Sequence, residues 1–324
     1  MMAKHPDIDS LVVDPRKYLE MRAGLENIEQ CRNFPKYFEI ETVRSCNADC
    51  VFCTKREWHD LGRTIIDEQL FDTVAGELGR HRDWIERVCL SRNGEPLLDP
   101  DLSRRVRRLK ALGINNVCFS TNGQLLDEEV AVDLIRSGLD FVMFSVDGTT
   151  AATFEKIRRN LDFETVRRNI LKFLAIRDRL NSKVKVRIRF VEIRENHSER
   201  ADFLAYWEQH VRPGDEVYIM GIHSWANQKF KENADKVARM SMVPCISPFT
   251  TMAVLVNGLI PLCATDYNGV VPLGDLRYQT IKEVWQGEES ERIRAMHLAG
   301  TRNVLPLCRG CDIWNRSYQG ISQR

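Results

Sequence analysis

Short apolar runs alternate with longer amphipathic segments between residues 37 and 220. The short runs are rich in β-branched and aromatic residues, which favours buried strands, and the longer segments repeat apolar positions at the helical period. The predicted strands are Tyr37–Val43, Arg87–Leu90, Asn116–Phe119, Phe141–Val146, Lys185–Glu192 and Glu216–Met220. The predicted helices are Asp67–Arg80, Asp101–Leu112, Asp127–Ser137, Phe163–Leu180 and Ser198–Gln209. This alternation is typical of βα units that build a parallel sheet.

Six such units predict an α/β fold, a partial (β/α)6 TIM-like barrel, because about 180 residues are too few for a closed eight-stranded barrel. A flat, doubly wound sheet is the alternative. In both folds the loops that follow the carboxyl ends of the strands carry the chemistry.

The pattern differs at both ends of the chain. The first 36 residues are polar and contain three prolines, which indicates an extension packed on the outside. After about residue 221, Asn257-Gly258 separates two short apolar runs and predicts a β-hairpin, and a helical stretch over Ile281–Leu298 follows. We therefore predict three segments, residues 1–36, 37–220 and 221–324.

Charge and composition exclude several classes of function. The chain has 47 Lys and Arg against 46 Asp and Glu, so a net charge of +1 provides no broad field for nucleic acid or an anionic membrane. The N-terminus has no apolar signal segment and no run of about 18 apolar residues follows, which predicts a cytoplasmic protein. Ten cysteines without a secretion signal favour metal ligation or redox chemistry over disulfides.

Three of these cysteines, Cys46, Cys50 and Cys53, form a CxxxCxxC pattern directly after the first predicted strand. Three thiolates on one loop can bind three irons of a cubane [4Fe-4S] cluster. The fourth iron then stays open for a ligand with an amine and a carboxylate. A zinc knuckle or unpaired buried cysteines are the alternatives.

This pattern, with the aromatic Phe52 before the third cysteine, resembles the signature of the radical S-adenosylmethionine (SAM) superfamily. Gly94-Glu95-Pro96 resembles the GGEP motif of that family, although Asn93 replaces its first glycine. Two later strand ends, Ser120-Thr121-Asn122-Gly123 and Ser145-Val146-Asp147-Gly148, are similar to polar strand ends that line SAM. Each of these motifs alone is also a common turn. The resemblance implies SAM contacts from Phe52, Gly94, Glu95, Pro96, Asn122 and Ser145.

A second set of cysteines, Cys245, Cys263, Cys308 and Cys311, has separations of 18, 45 and 3 positions. Four thiolates satisfy either tetrahedral zinc or all four irons of a cubane, and the spacing does not choose between them. The tail as a whole resembles the twitch form of the SPASM extension. That resemblance implies an auxiliary [4Fe-4S] cluster with four cysteine ligands, used for electron transfer.

The resemblance implies an oxidoreductase that forms a 5′-deoxyadenosyl radical from SAM and removes a substrate hydrogen. The ligand spacing is similar to that of the aminocyclitol dehydrogenases of butirosin biosynthesis, which implies a small-molecule substrate such as an aminocyclitol, sugar or aminoglycoside. A flavodoxin or ferredoxin is the implied electron donor.

Other functions remain open from the sequence. An epimerase of a sugar or peptide centre requires a hydrogen-donating thiol, for which Cys31, Cys89 and Cys118 are candidates. The usual role of Cys89 and Cys118 in apolar strands is that of small buried residues. A structural zinc- or cluster-binding protein is an alternative of another class. Arg187 and Arg189 occupy one face of the fifth strand, which points either into the barrel or out of it.

Overall fold

A computed structural model describes residues 14–226, 228–229 and 243–311. The chain divides into two compact units. The barrel unit comprises Tyr37–Ile222 and Val254–Leu259. The terminal unit comprises the other described residues, 14–36, 223–226, 228–229, 243–253 and 260–311. The predicted three-segment division stays a prediction.

The strands follow the predicted order. In chain order they are β1 Tyr37–Ile40, β2 Asp49–Cys50, β3 Arg87–Cys89, β4 Val117–Thr121, β5 Phe141–Ser145, β6 Arg158–Arg159, β7 Lys185–Glu192, β8 Glu216–Gly221, β9 Thr251–Val254, β10 Leu259–Pro261 and β11 Pro272–Asp275. A seven-stranded sheet has the order β8-β7-β5-β4-β3-β1-β9, and its neighbours from β8 to β1 pair in parallel. All six predicted strands are therefore confirmed in one parallel array.

The helices are α1 Pro15–Ala23, α2 Glu68–Arg80, α3 Leu102–Ala111, α4 Glu128–Arg136, α5 Ala151–Ile157, α6 Phe163–Arg179, α7 Arg200–Glu208, α8 Ser247–Thr250, α9 Ile281–Trp285 and α10 Glu288–Leu298. Aspartate side chains cap four of them, and Asp14 does so at α1 by accepting from the Arg16 N–H. The side chains of Asp67, Asp127 and Asp162 accept backbone N–H groups of the first turns of α2, α4 and α6. None of the helices in these ranges has both the length and the apolar character that a bilayer span requires.

The two faces of the parallel sheet differ in chemistry. Phe38, Val88, Phe144 and Ile188 alternate onto one face and are at most 1% exposed. Phe144 contacts Phe173 of α6 with ring centroids 5.6 Å apart, so the helices cover this apolar face. Residues at the intervening positions therefore point to the opposite side.

That opposite side is polar. We call it the polar face, and its members include Glu39, Arg87, Cys89, Cys118, Ser120, Met143, Ser145, Arg187, Arg189, Glu216 and Tyr218, with the aromatic Tyr37 and Phe141 on the same side. Arg187 and Arg189 lie here, since Val186, Ile188 and Phe190 between them are fully buried on the helix side. The sequence left open the direction in which these two arginines point, and the structure shows that they point away from the helices.

The terminal unit differs in detail from its predicted elements. The predicted single helix over Ile281–Leu298 is two helices, because α9 ends before Gly287, which is the N-cap of α10. The predicted Asn257-Gly258 turn, which lies in the barrel unit, is present, with the Gly258 N–H donating to Leu255 O at 2.8 Å. Of the two central residues of this turn, only Gly258 has a positive φ, +90°. Beyond this turn the two strands enter different sheets, since β10 pairs with β11.

Candidate functional site

The loop that carries Cys46, Cys50 and Cys53 leaves the carboxyl end of β1. The Cys53 N–H donates to Cys50 O at 3.0 Å, and the Lys55 ammonium donates to Cys46 O at 2.5 Å and to Ala48 O at 2.7 Å. None of the three cysteines forms a disulfide, and all three residues are partly exposed. Burial raises the pKa of Cys46 to about 11, so a thiolate here requires a compensating positive charge, which a metal cluster provides.

Arg158 is a residue at this loop that the sequence motifs did not reveal. The short antiparallel sheet of β2 and β6 places it opposite Cys50, and its Nη1 lies 3.6 Å from the Cys50 Sγ. Its guanidinium also lies 5.4 Å from the centroid of the Phe52 ring. Asp147 is fully buried and accepts from Arg158 Nε at 2.6 Å. A buried ion pair therefore holds a cation against the predicted cluster ligand.

Gly94 brings the segment after β3 against the start of the cysteine loop. A Cβ atom at this position would lie 2.0 Å from Val43 O and 2.8 Å from Ser45 O. The next residue, Glu95, donates its backbone N–H to Ser45 O at 2.8 Å. Only glycine allows this approach between backbones, which explains the residue that the resemblance singled out.

Substitution of Gly94 by Ala is therefore expected to destabilise the protein by about 1–3 kcal/mol, the usual cost of overpacking, and to lower iron content. Gly76→Ala is the matched control, since a Cβ at Gly76 in α2 meets nothing within 4 Å. That control is expected to be neutral or to stabilise by up to about 1 kcal/mol. Urea unfolding and iron content of both variants test the difference, and equal stability would contradict the packing argument.

Glu95 joins the ends of β3 and β4. Its Oε1 accepts from Thr121 Oγ1 at 2.6 Å and from the Leu97 N–H at 3.2 Å, and its Oε2 accepts from the Asn122 N–H at 2.8 Å. It also caps the short 3-10 helix that begins at Pro96. The carboxylate is 3% exposed, and burial raises its pKa. A charge-assisted hydrogen bond from an ammonium group would stabilise its ionised form.

The proposed role of Glu95 is to receive the SAM ammonium, so Glu95→Ala is expected to weaken SAM binding by 10-fold or more, about 1.4 kcal/mol, while iron content changes little. Isothermal titration of the reconstituted protein with SAM measures the first quantity, and chemical iron analysis measures the second. Unchanged SAM affinity in a folded Glu95→Ala variant would contradict the assignment.

Asn122 and Ser145 occupy the next two strand ends. Asn122 Nδ2 donates to Asn47 Oδ1 at 2.8 Å, which connects the end of β4 to the cysteine loop. Ser145 Oγ accepts from Arg189 Nη2 at 2.8 Å. The Arg189 Nε is buried and has no hydrogen-bond partner in the structure. An unsatisfied donor of this kind fits a site for an anionic group such as a carboxylate.

The structure brings Cys89 and Cys118 together but places Cys31 elsewhere. Cys89 and Cys118 are register partners on β3 and β4, on the polar face. A hydrogen bond with Cys118 lowers the pKa of Cys89 to about 7, whereas burial raises the pKa of Cys118. Cys31 lies in a buried 3-10 helix of the terminal unit, and its carbonyl accepts from Trp285 Nε1 at 2.7 Å.

The second set of cysteines gathers in the terminal unit. Cys263, Cys308 and Cys311 pack with one apolar cluster, whose other members include Leu262, Ile293, Leu305 and Leu307. Burial raises the pKa of Cys308, and the nearby charges of Cys263 and Cys245 raise it further. Thiolates at Cys245, Cys263 and Cys308 would repel one another, which suits a centre that supplies positive charge.

Two further residues surround this set, and neither was predicted. Arg302 is buried and donates to Cys308 O at 3.0 Å and to Val243 O at 2.7 Å. His297 is fully buried, and its Nδ1 accepts from the Cys245 N–H at 3.0 Å. Burial lowers the pKa of His297 to about 3. Their sequence positions carry no motif, so only the fold reveals them.

Across residues 14–226, 228–229 and 243–311, no group of three or more His, Cys, Asp and Glu lies close enough to hold a single metal ion. A cubane does not require its ligands to lie that close together, because each thiolate binds a different iron.

Comparison with models of known protein families identifies two domains in the chain. Residues 40–191 match the Radical SAM superfamily, and residues 245–312 match the SPASM iron-sulfur cluster-binding domain. The chain carries a radical SAM domain followed by a SPASM-type domain. A radical SAM domain binds a [4Fe-4S] cluster and SAM, and a SPASM domain binds auxiliary iron-sulfur clusters. The predicted cofactors and the resemblance are therefore confirmed.

Curated relatives of this radical SAM and SPASM protein have diverse names. A GTP 3′,8-cyclase of Lactiplantibacillus plantarum is 30% identical over 179 residues, which are 54% of this chain and 51% of the relative. The tungsten-containing aldehyde ferredoxin oxidoreductase cofactor-modifying protein of Pyrococcus furiosus is 27% identical over 172 residues, 53% of this chain and 48% of the relative. The chain thus spans about half the length of these relatives.

Solved structures support the fold of this radical SAM and SPASM protein. BtrN in complex with AdoMet and 2-DOIA has a TM-score of 0.62 at 19% identity, covering 86% of this chain and 93% of BtrN. SuiB of Streptococcus suis, bound to its precursor peptide SuiA, has a TM-score of 0.63 at 14% identity, covering 89% and 74%. The predicted partial barrel with a C-terminal SPASM-type extension is confirmed, whereas identities this low show the fold alone.

Proposed function

We propose that this protein is a radical SAM oxidoreductase that converts a secondary alcohol of an aminocyclitol or sugar-like molecule into a ketone. The observation that carries the proposal is the second set of cysteines. Four thiols saturate the irons of a cubane, so a cluster held by them has no open iron for a substrate. Electron transfer is the use that we assign to such a cluster, because an alcohol oxidation requires an electron acceptor.

Cys46, Cys50 and Cys53 are the proposed ligands of the SAM-binding cluster. Bound together, that cluster and SAM supply a 5′-deoxyadenosyl radical, which removes a hydrogen atom from a substrate C–H bond. Glu95 and Asn122 hold the strand ends beside the cysteine loop through their hydrogen bonds to each other and to Asn47. The protein contributes orientation of the reactants and exclusion of water.

The polar face supplies the groups that suit a hydroxylated or charged substrate. Arg187 Nη2 donates to Glu216 Oε1 at 3.0 Å, and Tyr218 has its hydroxyl on the same face. Burial raises the pKa of Glu39, which makes this carboxyl a better acceptor for a proton at neutral pH. The buried Arg189 Nε on this face has no hydrogen-bond partner in the structure, so an apolar substrate would leave it unpaired, at a cost that disfavours such a substrate.

The proposed reaction balances in atoms and charge. The carbinol carbon loses a hydrogen atom, the hydroxyl loses its proton to a basic side chain, and one electron leaves as the C=O bond forms. The auxiliary cluster of Cys245, Cys263, Cys308 and Cys311 is the proposed acceptor of that electron. A small electron-transfer protein of the flavodoxin or ferredoxin type is the proposed donor for SAM cleavage.

Anaerobic reaction with SAM, dithionite and a panel of aminocyclitols and aminoglycosides tests the proposal by mass spectrometry. The expected product has lost two hydrogens, about 2 Da, and forms with one 5′-deoxyadenosine per turnover. GTP belongs in the same panel because curated relatives are named GTP 3′,8-cyclases. An isomerised product formed from GTP, with no oxidation of any alcohol in the panel, would contradict the oxidoreductase proposal and indicate a cyclase.

Epimerisation is a second candidate, favoured by the Cys89 and Cys118 pair on the polar face. A thiol there would give a hydrogen atom to the substrate radical and become a thiyl radical. One electron from the auxiliary cluster and one proton from solvent would restore the thiol, so the transferred hydrogen would be exchangeable with solvent. Reaction in deuterium oxide separates the two functions. A product with one deuterium on carbon and no loss of two hydrogens selects the epimerase. Cys89→Ala tests whether this thiol is the hydrogen donor. Cys31→Ala is its matched control, since Cys31 lies in the terminal unit.

A further inference from the structure

His297 lies between two of the proposed auxiliary-cluster ligands. The Cys245 backbone N–H donates to its Nδ1 at 3.0 Å, and its Nε2 lies 3.7 Å from the Cys308 Sγ. The ring is fully buried, and its edge-on contact with the Phe249 ring, centroids 6.4 Å apart, restricts its orientation. The imidazole is therefore fixed between the backbone of one ligand and the sulfur of another.

These contacts fix the position of the imidazole proton. Because Nδ1 accepts a hydrogen bond from the Cys245 N–H, it carries a lone pair and no proton. The proton of the ring is therefore on Nε2, which faces the Cys308 sulfur. A distance of 3.7 Å suits an N–H···S hydrogen bond, since sulfur is a large acceptor.

We propose that His297 donates its Nε2–H to the Cys308 thiolate and thereby raises the reduction potential of the auxiliary cluster. This inference rests on the proposed function, since it requires a cluster on these four cysteines. Hydrogen bonds to cluster sulfurs stabilise the reduced, more negative state more than the oxidised state. His297 is a positioning residue, which acts on the substrate only through the cluster. A higher potential makes that cluster a better acceptor for the electron of a substrate radical.

Two variants and one control test the effect of the hydrogen bond. His297→Phe keeps an aromatic ring of similar size but removes both ring nitrogens. His297→Gln restores an N–H donor close to the position of Nε2. Leu307→Val alters the same apolar cluster without touching a donor, because Leu307 packs in that cluster with Cys308. Arg302 is unchanged in all three, so its buried charge is constant.

The measurement is an EPR-monitored redox titration of the full chain with both clusters present, and added SAM identifies the signal of the first cluster. His297→Phe is expected to shift the auxiliary potential to a more negative value. His297→Gln is expected to recover part or all of that shift, and Leu307→Val to leave the potential unchanged. An unshifted potential in His297→Phe with both clusters loaded overturns the proposal.

A measurement on the unmutated protein tests the hydrogen bond from His297 to Cys308 even if the His297→Phe variant does not fold. Chains labelled with ¹⁵N-histidine are reduced and studied by pulsed EPR after exchange into deuterium oxide. The expected result is a ¹⁵N coupling and an exchangeable-proton coupling at the auxiliary cluster, and absence of both overturns the proposal. An unmutated chain that binds only the first cluster would instead show that the proposed function is wrong.

Discussion

Alanine at Cys46, Cys50 or Cys53 is expected to reduce 5′-deoxyadenosine formation to the background level, with dithionite as reductant. The structure places all three thiols on one loop, where backbone hydrogen bonds and Lys55 fix their spacing. Loss of one thiolate removes an anchor of the cluster. High-performance liquid chromatography of anaerobic reactions measures the product.

Cys31→Ala is the control for these variants, since Cys31 belongs to neither set of cysteines and lies in the terminal unit. It removes one buried sulfur, a change that costs stability without touching the cysteine loop. We expect SAM cleavage near the unmutated level. Undiminished cleavage in all three loop variants would show that the first cluster is bound elsewhere.

The double change Cys308→Ala and Cys311→Ala is expected to abolish the oxidised product while SAM cleavage stays measurable. The two sulfurs belong to the terminal unit and pack in its apolar cluster, whereas the cysteine loop belongs to the barrel unit. Without the auxiliary cluster the substrate radical has no oxidant and is reduced back or decays. Product analysis and 5′-deoxyadenosine analysis of the same reactions give both quantities.

Folding is the complication in this experiment, because a metal site contributes folding free energy. Only a soluble double variant that retains the first cluster is interpretable, and iron near four per chain, about one cubane, identifies it. The contacts of Arg302 with Cys308 O and Val243 O, which need no metal, favour retention of the local fold. Oxidised product at the unmutated rate in such a variant would exclude the auxiliary cluster as electron acceptor.

The strands and long helices could be predicted from sequence because their periodicity is strong. Lys185–Glu192 has the predicted bounds, and α6 ends one residue earlier than predicted. The short elements α5, β2 and β6 were not found this way, since β2 and β6 have two residues each and the seven residues of α5 make only about two helical turns. Those elements place Arg158 against Cys50, so the ion pair with Asp147 was missed with them.

The two cysteine sets could be recognised because cysteines are few and their spacing resembles known cluster-binding patterns, whereas the residues around them carry no such pattern. His297 reaches Cys245 across 52 positions, and Arg302 reaches Val243 across 59. Neither residue has a motif, and a contact over such separations depends on the packing of the whole unit. The substrate is harder still to predict, because the polar face that would bind it combines residues from six different strands.

Iron and sulfide analysis together with Mössbauer spectroscopy of the anaerobically reconstituted protein tests most directly whether two clusters are present. Three thiols in one loop and four in the terminal unit predict about eight irons and eight sulfides per chain, all in cubane environments. SAM should perturb the signal of one cluster only, since the other has no open iron. Iron and sulfide near four per chain with one equivalent of zinc would contradict the auxiliary cluster and select a structural zinc site at Cys245, Cys263, Cys308 and Cys311.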